Sequence, residues 1–174
     1  FKYGEMVLIL YSYIRGLIKL KWKMMTGIVI LIYNNCIDTI NCIKSVLKYS
    51  QTNTIKILIV DNGSEDIIYM KLADEFNKQN TIDIIDHLKI WNSNKSIKLS
   101  LISYIKNNNN LGYAQGNNIG GTIFAKDPSI DSIMILNNDT LFVNDLITPL
   151  NSALSSIKEA FIVTPILLEK RWNK

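Results

Sequence analysis

Three short, mostly apolar runs constrain this 174-residue chain more than anything else in it, the first unbroken, the second holding Lys56 and the third Asp131 and Ser132. They are Gly27-Ile28-Val29-Ile30-Leu31-Ile32-Tyr33, Ile55–Val60 and Ile130–Leu136. Each is short, rich in β-branched residues, and ends at a polar turn. A strand with one wet face alternates apolar and polar residues, whereas a strand covered on both faces reads as a continuous apolar run. The runs therefore predict a sheet sandwiched between helices. Between them lie amphipathic stretches. Cys36, Ile40, Ile43 and Leu47 recur at helical spacing, with Asn41, Lys44, Ser45 and Lys48 on the opposite side. Alternating strand and helix implies right-handed crossovers and a mostly parallel sheet.

The remaining elements are expected as follows. Residues 66–78 read as a helix with an untidy stripe of Ile67, Ile68, Met70 and Leu72. Residues 80–98 are polar and hard to read, with a short strand near Ile82–Ile85. Lys98–Ile105 reads as a strand, and a helix carrying Ile119, Ile123 and Phe124 follows the segment from Leu111 to Asn118. A helix over roughly 145–157 aligns Leu146, Leu150, Leu154 and Ile157, provided Pro149 falls in its first turn. Phe161–Thr164 reads as a last short strand.

The chain has 19 Lys and Arg against 15 Asp and Glu, a net charge of +4. That mild excess suits an anionic ligand or membrane surface, and ordinary surface lysines explain it equally well. No basic tract interleaved with aromatics points to nucleic acid. Cys36 and Cys42, six apart on one expected helix, point in different directions, which disfavours a disulfide or a metal site. Reduced thiols imply a cytoplasmic setting. His87 is the only histidine and lies in a polar stretch. Residues 5–22 read as a basic amphipathic helix, either a peripheral membrane contact or a helix packed on the domain. Its apolar run Met6–Tyr11 is too short to span a bilayer. The expected organisation is an N-terminal segment, 1–26, followed by a single domain, 27–174.

In a parallel sheet all strand-to-helix turns share one edge, so Tyr33-Asn34, Asp61-Asn62-Gly63-Ser64 and Asn137-Asn138-Asp139 should converge. The first offers an aromatic face and an amide, the second a carboxylate and a tight turn. The third offers Asp139 as an oxygen ligand for Mg²⁺ or Mn²⁺, with the Asn137 amide on the same side of an extended chain. Gly112 and Gly116 permit close backbone approach at a helix amino end, where amide groups favour phosphate. Each motif is also a common turn. Together they match what a nucleoside diphosphate needs. No Gly-x-Gly-x-x-Gly follows the first run, which disfavours a dehydrogenase.

Four segments occur in order: Ile28 to Asn35, Val60-Asp61-Asn62-Gly63-Ser64-Glu65-Asp66, Asn110 to Gly120, and Leu136-Asn137-Asn138-Asp139-Thr140. In these the chain resembles the family 2 glycosyltransferases with the GT-A fold, most closely their rhamnosyltransferase-like branch, over about residues 27–168. The resemblance implies an α/β, Rossmann-like mostly parallel sheet flanked by helices, incomplete at its C-terminal side. It implies a nucleotide-diphosphate sugar donor, UDP- or dTDP-linked, a saccharide or lipid-linked acceptor, Mn²⁺ or Mg²⁺, and inversion at the anomeric carbon in surface polysaccharide synthesis. By motif position Tyr33, Asp61, Asn62, Gly112, Asn117 and Asn138 would bind the nucleotide. Asp139, with Asn137, would bind the metal. Ile32 stands where the family commonly has Thr or Asn, and Asn137 where it has its first Asp. Asp145, Glu159 and Glu169 lack the context of the family's catalytic base. The expectation is therefore donor binding better preserved than turnover, and the alternative is a non-catalytic nucleotide-sugar-binding module.

Overall fold

The computed structural model describes residues 24–77, 82–84, 96–157, 159 and 161–165. The basic helix expected over 5–22, His87, Glu169, Ile85 and most of the polar stretch 80–98 lie outside them.

Five strands form one sheet: β1 (Thr26–Ile32), β2 (Ile55–Asp61), β3 (Ile82–Ile84), β4 (Ile102–Lys106) and β5 (Ser132–Asn137). Their order is β3-β4-β2-β1-β5 and every pairing is parallel. The helices are α1 (Cys36–Tyr49), α2 (Asp66–Asn77), α3 (Gly112–Ala125) and α4 (Ile147–Ser156). The chain runs from β1 outward through β2 toward β4, then crosses back over the sheet to place β5 on the other side of β1. The order reverses at β1, and such a reversal opens a crevice beyond the strands' carboxyl ends.

Alternation along the strands divides the core. Ile28, Ile30 and Ile32 of β1 and Ile55, Ile57 and Ile59 of β2 face α1 and α2, meeting Cys42, Ile43, Val46, Ile68, Leu72 and Phe76. Val29, Leu58 and Val60 face the other way, onto Ile123 and Phe124 of α3. The untidy stripe of α2 thus resolves to Ile68, Leu72 and Phe76, one residue per turn, with Ile67 and Met70 outside.

The close seating of α3 on β1 explains its glycines. A Cβ on Gly116 would lie 2.4 Å from Leu31, and one on Gly120 2.5 Å from Val29. The helix covers β1 and β2 and leaves β5 partly bare. Ile133 and Ile135 are 43% and 46% exposed. The reading of Ile130–Leu136 as a buried strand is thus corrected, since one of its faces is half-exposed. Continuous apolar sequence does not tell a central strand from an edge strand whose second face reaches beyond its helix.

Other boundaries shift as well. β4 starts at Ile102 rather than Lys98, because the Leu99 amide is turned to the Asp127 carboxylate, 3.0 Å away. Phe161–Thr164 forms no strand and Phe161 and Ile162 are exposed. Pro149 is the third residue of α4, in the first turn, where its missing N–H is harmless. Only Ile147 of α4 is fully buried, and Ile157 lies beyond its end, exposed. Thr26, placed before the domain by sequence, is the first residue of β1.

At the amino end of the sheet, Lys56 of β2 is buried against Asp127. Its ammonium donates to Asp127 Oδ2 at 2.7 Å and to Ser129 Oγ at 2.8 Å. Burial alone would raise the Asp127 pKa. The Leu99 amide, Lys56 and the Ser129 amide and hydroxyl outweigh it and hold the pKa down at about 2.

Candidate functional site

The strand ends meet at the carboxyl edge as the topology requires. Ile32 is in register with Asp61, and Leu31 with Asn137, so the second and third motifs flank β1 on either side. The first two motifs are locked together. The Asn34 amide donates to Ser64 Oγ at 2.9 Å, and the Glu65 amide donates to Asn34 Oδ1 at 3.1 Å. The Asn62 amide donates to the Ile32 carbonyl. Asn34 takes a left-handed φ of 54°, a conformation that Asn tolerates better than most residues. Tyr33, just before it, is an exposed aromatic ring.

Asp61 sits at the edge but has no exposed surface. One carboxylate oxygen accepts from the Ser64 amide at 2.7 Å and the other from the Tyr104 hydroxyl. Burial, reinforced by that carboxylate, raises the Tyr104 pKa, so the phenol keeps its proton and remains a donor. In this conformation Asp61 shapes the turn from within, and a ligand would reach it only by opening the turn. Gly63 completes the turn at φ 88°, and a Cβ there would lie 2.8 Å from the Asn109 backbone.

Asn62 is a second internal hub. Its Nδ2 donates to Asn110 Oδ1 at 2.7 Å and to the Gly112 carbonyl at 3.2 Å. Its Oδ1 accepts from the Leu111 amide at 3.0 Å and from Asn107 Nδ2 at 3.2 Å. All four hydrogen-bonding capacities of the amide are filled. Asn110 Oδ1 also accepts from the Gly112 amide. The asparagine run 107–110 is thus a shaped loop that delivers the chain into α3. Gly112 enters that helix at φ 79° with open space around its Cα. Asn117, one turn further on, is buried. Its Nδ2 donates to the Tyr113 carbonyl at 3.0 Å, and its Oδ1 has no partner among the described residues.

The third motif is a turn closed by the Thr140 amide on the Asn137 carbonyl, 3.1 Å away. The extended geometry that would set Asn137 and Asp139 side by side is thereby overturned. β5 ends at Asn137, so Asp139 lies in the turn and not on the extended strand. Asn138 points back to α1, donating to Thr39 Oγ1 at 3.0 Å and to the Asn35 carbonyl at 3.5 Å. Asn137 Oδ1 accepts from the Tyr113 hydroxyl at 3.0 Å. Asp139 is exposed, with no hydrogen bond or ion pair among the described residues. Cys42 lies behind this turn. Burial, with Asp139 adding repulsion, pushes its thiol up to about 12, so it is no nucleophile at neutral pH. Both cysteines are free and buried.

Among the described residues no group of three or more His, Cys, Asp or Glu could hold a metal ion. One open carboxylate fits a divalent cation that takes most of its oxygens from a bound diphosphate, as Mg²⁺ commonly does. Tyr33, Asn34, Asn137 and Asp139 offer exposed surface at the switch point. Asp61, Asn62, Asn117 and Asn138 are turned inward. Neither Tyr104 nor Tyr113 stands out as a site residue in the sequence. Tyr104 hides inside an apolar strand. Tyr113 is flagged only by its place directly after a glycine at a helix start.

No family model matches the chain, and no curated protein does. Its fold matches 46 solved chains. One is the crystal structure of S. aureus TarS, with a TM-score of 0.51 at 12% sequence identity. The match covers 76% of this chain and 20% of that one. At such identity the likeness concerns the fold alone, a Rossmann-like parallel α/β sheet flanked by helices. No helix among the described residues is long and apolar enough to cross a membrane.

Proposed function

We propose that this chain binds a nucleotide-diphosphate sugar at the carboxyl edge of its sheet, as the donor-binding part of a metal-dependent inverting glycosyltransferase. The observation that carries the reading is the placement of the third motif. The open carboxylate of Asp139 follows β5 beside β1, where the strand order reverses. The four ordered motifs support it, and the parallel α/β fold shared with S. aureus TarS is compatible with it.

On this reading Tyr33 offers a stacking face to the base, and the turns held by Asp61 and Asn62 shape the wall around it. Asp139 would hold Mn²⁺ or Mg²⁺, which neutralises charge on the departing diphosphate. An acceptor hydroxyl, on a saccharide or a lipid-linked saccharide, attacks the anomeric carbon opposite the diphosphate. The bond to the diphosphate breaks, and a general base takes the hydroxyl proton. Surface polysaccharide assembly from the cytoplasmic side, with peripheral membrane contact, suits such a donor and acceptor.

A second reading, a nucleotide-sugar-binding module without its own base, draws on Asp145. Its carboxylate accepts from the Thr148 amide at 3.1 Å and so caps α4. Calorimetry with UDP and dTDP, with and without Mn²⁺, tests both readings. Metal-enhanced binding is expected, and no binding of either nucleotide refutes both. Mass spectrometry of donor–acceptor mixtures separates them. Donor binding without transfer favours the module, and robust transfer favours the enzyme.

A further inference from the structure

The contact between Tyr113 and Asn137 bears on how a diphosphate is held, and the inference rests on the donor-binding reading above. An asparagine amide carries an oxygen that accepts and a nitrogen that donates. Here the Tyr113 hydroxyl donates to Asn137 Oδ1 at 3.0 Å. One of the two acceptor positions on that oxygen, the only atom of the side chain suited to a hard cation, is therefore taken by the phenol, which turns the nitrogen the other way. The Nδ2 group has no partner among the described residues, on a side chain that is exposed at the strand end.

The backbone of Tyr113 is well held, and its ring lies exposed over the strand end. Tyr113 is the second residue of α3, its carbonyl accepts from Asn117 Nδ2 at 3.0 Å, and Gly112 before it hangs from Asn110 and Asn62. A chain of hydrogen bonds thus runs from the second motif through the start of α3 to the third. It sets the orientation of one amide.

We infer that Asn137 is a hydrogen-bond donor to a diphosphate oxygen, not a metal ligand, and that Tyr113 is the positioning residue that fixes its amide. Asp139 then stands alone as the metal-binding carboxylate. Asn137 contributes to binding even without metal, because an N–H donor satisfies phosphate oxygen directly.

The test measures UDP affinity by calorimetry with and without Mn²⁺. In parallel, the Asn137 side-chain amide is followed by nitrogen-15 NMR during a metal-free UDP titration. Tyr113→Phe keeps the ring and removes the hydroxyl. It should weaken metal-free binding by about two- to tenfold, the loss expected for one hydrogen bond. The same change in an Asn137→Ala background should have almost no effect, because Tyr113 acts through Asn137. Asn137→Asp should weaken metal-free binding more strongly, since it turns an acceptor toward the phosphate.

In the wild type the Asn137 amide signals should shift on metal-free UDP addition. Additive effects of Tyr113→Phe and Asn137→Ala would overturn the positioning role. Unmoved amide signals despite UDP binding would overturn the donor role, as would Asn137→Asp leaving metal-free affinity intact while strengthening the Mn²⁺ effect. Failure of UDP and dTDP to bind at all would remove the functional reading, and this inference with it.

Discussion

Replacing Asp127 with Asn should destabilise the chain without touching nucleotide affinity. Lys56 and Asp127 side chains are only 9% and 1% exposed, so the pair lives in the interior. It lies at the amino end of β2, away from the strand ends that form the candidate site. Asp127→Asn keeps the shape and leaves the Lys56 ammonium buried without a countercharge. Breaking a buried pair in this way typically costs 3–5 kcal/mol. The titration of Asp127 gives an independent lower figure. A pKa held at about 2 against an ordinary 3.8 corresponds to about 2 kcal/mol of stability. The sign follows from the direction. A depressed carboxylate contributes fully above its unfolded value, 3.8, and loses that contribution as pH falls through about 2. The measurement is urea denaturation followed by circular dichroism, wild type against Asp127→Asn, from pH 6 to pH 2. The gap in stability should be about 3 kcal/mol at pH 6 and should close by about 2 kcal/mol by pH 2. A gap below about 1 kcal/mol at pH 6, or one that does not narrow in acid, would refute the reasoning.

Other expectations are briefer. Asp139→Ala should remove most of the gain in UDP affinity that Mn²⁺ confers and leave metal-free binding nearly unchanged, as read by calorimetry. Asp61→Ala should weaken nucleotide binding and lower stability together. It strands the Ser64 amide and the Tyr104 hydroxyl, at about 1–3 kcal/mol for each buried group left unpaired, measurable by urea denaturation. Gly120→Ala should destabilise by about 1 kcal/mol net, because overpacking against Val29 exceeds the gain in helix propensity. Gly121→Ala, next to it with open space around it, should instead stabilise by about 0.5–1 kcal/mol; thermal melts of the pair give opposite shifts if the packing is as described.

Much of the fold was legible in the chain because burial writes a pattern. A strand covered on both faces is apolar at nearly every position, so β1 and β2 stand out, with Lys56 of β2 tolerated because Asp127 pairs with it. The helices between them carry one apolar stripe each, and alternation of the two leaves a parallel sheet as the natural solution. The shared edge of the three polar turns follows from that topology alone. What the sequence left open is where tertiary contacts decide. An apolar run does not say how far a covering helix reaches, and so Ile133 and Ile135 proved half-bare beside α3. Nor do residue types say which polar groups face a ligand. Asp61 and Asn62 look like binding residues in sequence, yet both are drawn inward because buried backbone amides and the Tyr104 hydroxyl need acceptors. Asn137 and Asp139 look like neighbours on an extended chain, yet β5 ends at Asn137 and Asp139 lies in the turn that follows. The Asn137–Tyr113 contact joins residues 24 positions apart across the start of a helix. A hydrogen bond depends on distance and angle in space, which no local pattern records, whereas the hydrophobic alternation that builds the sheet is local and can be read along the chain.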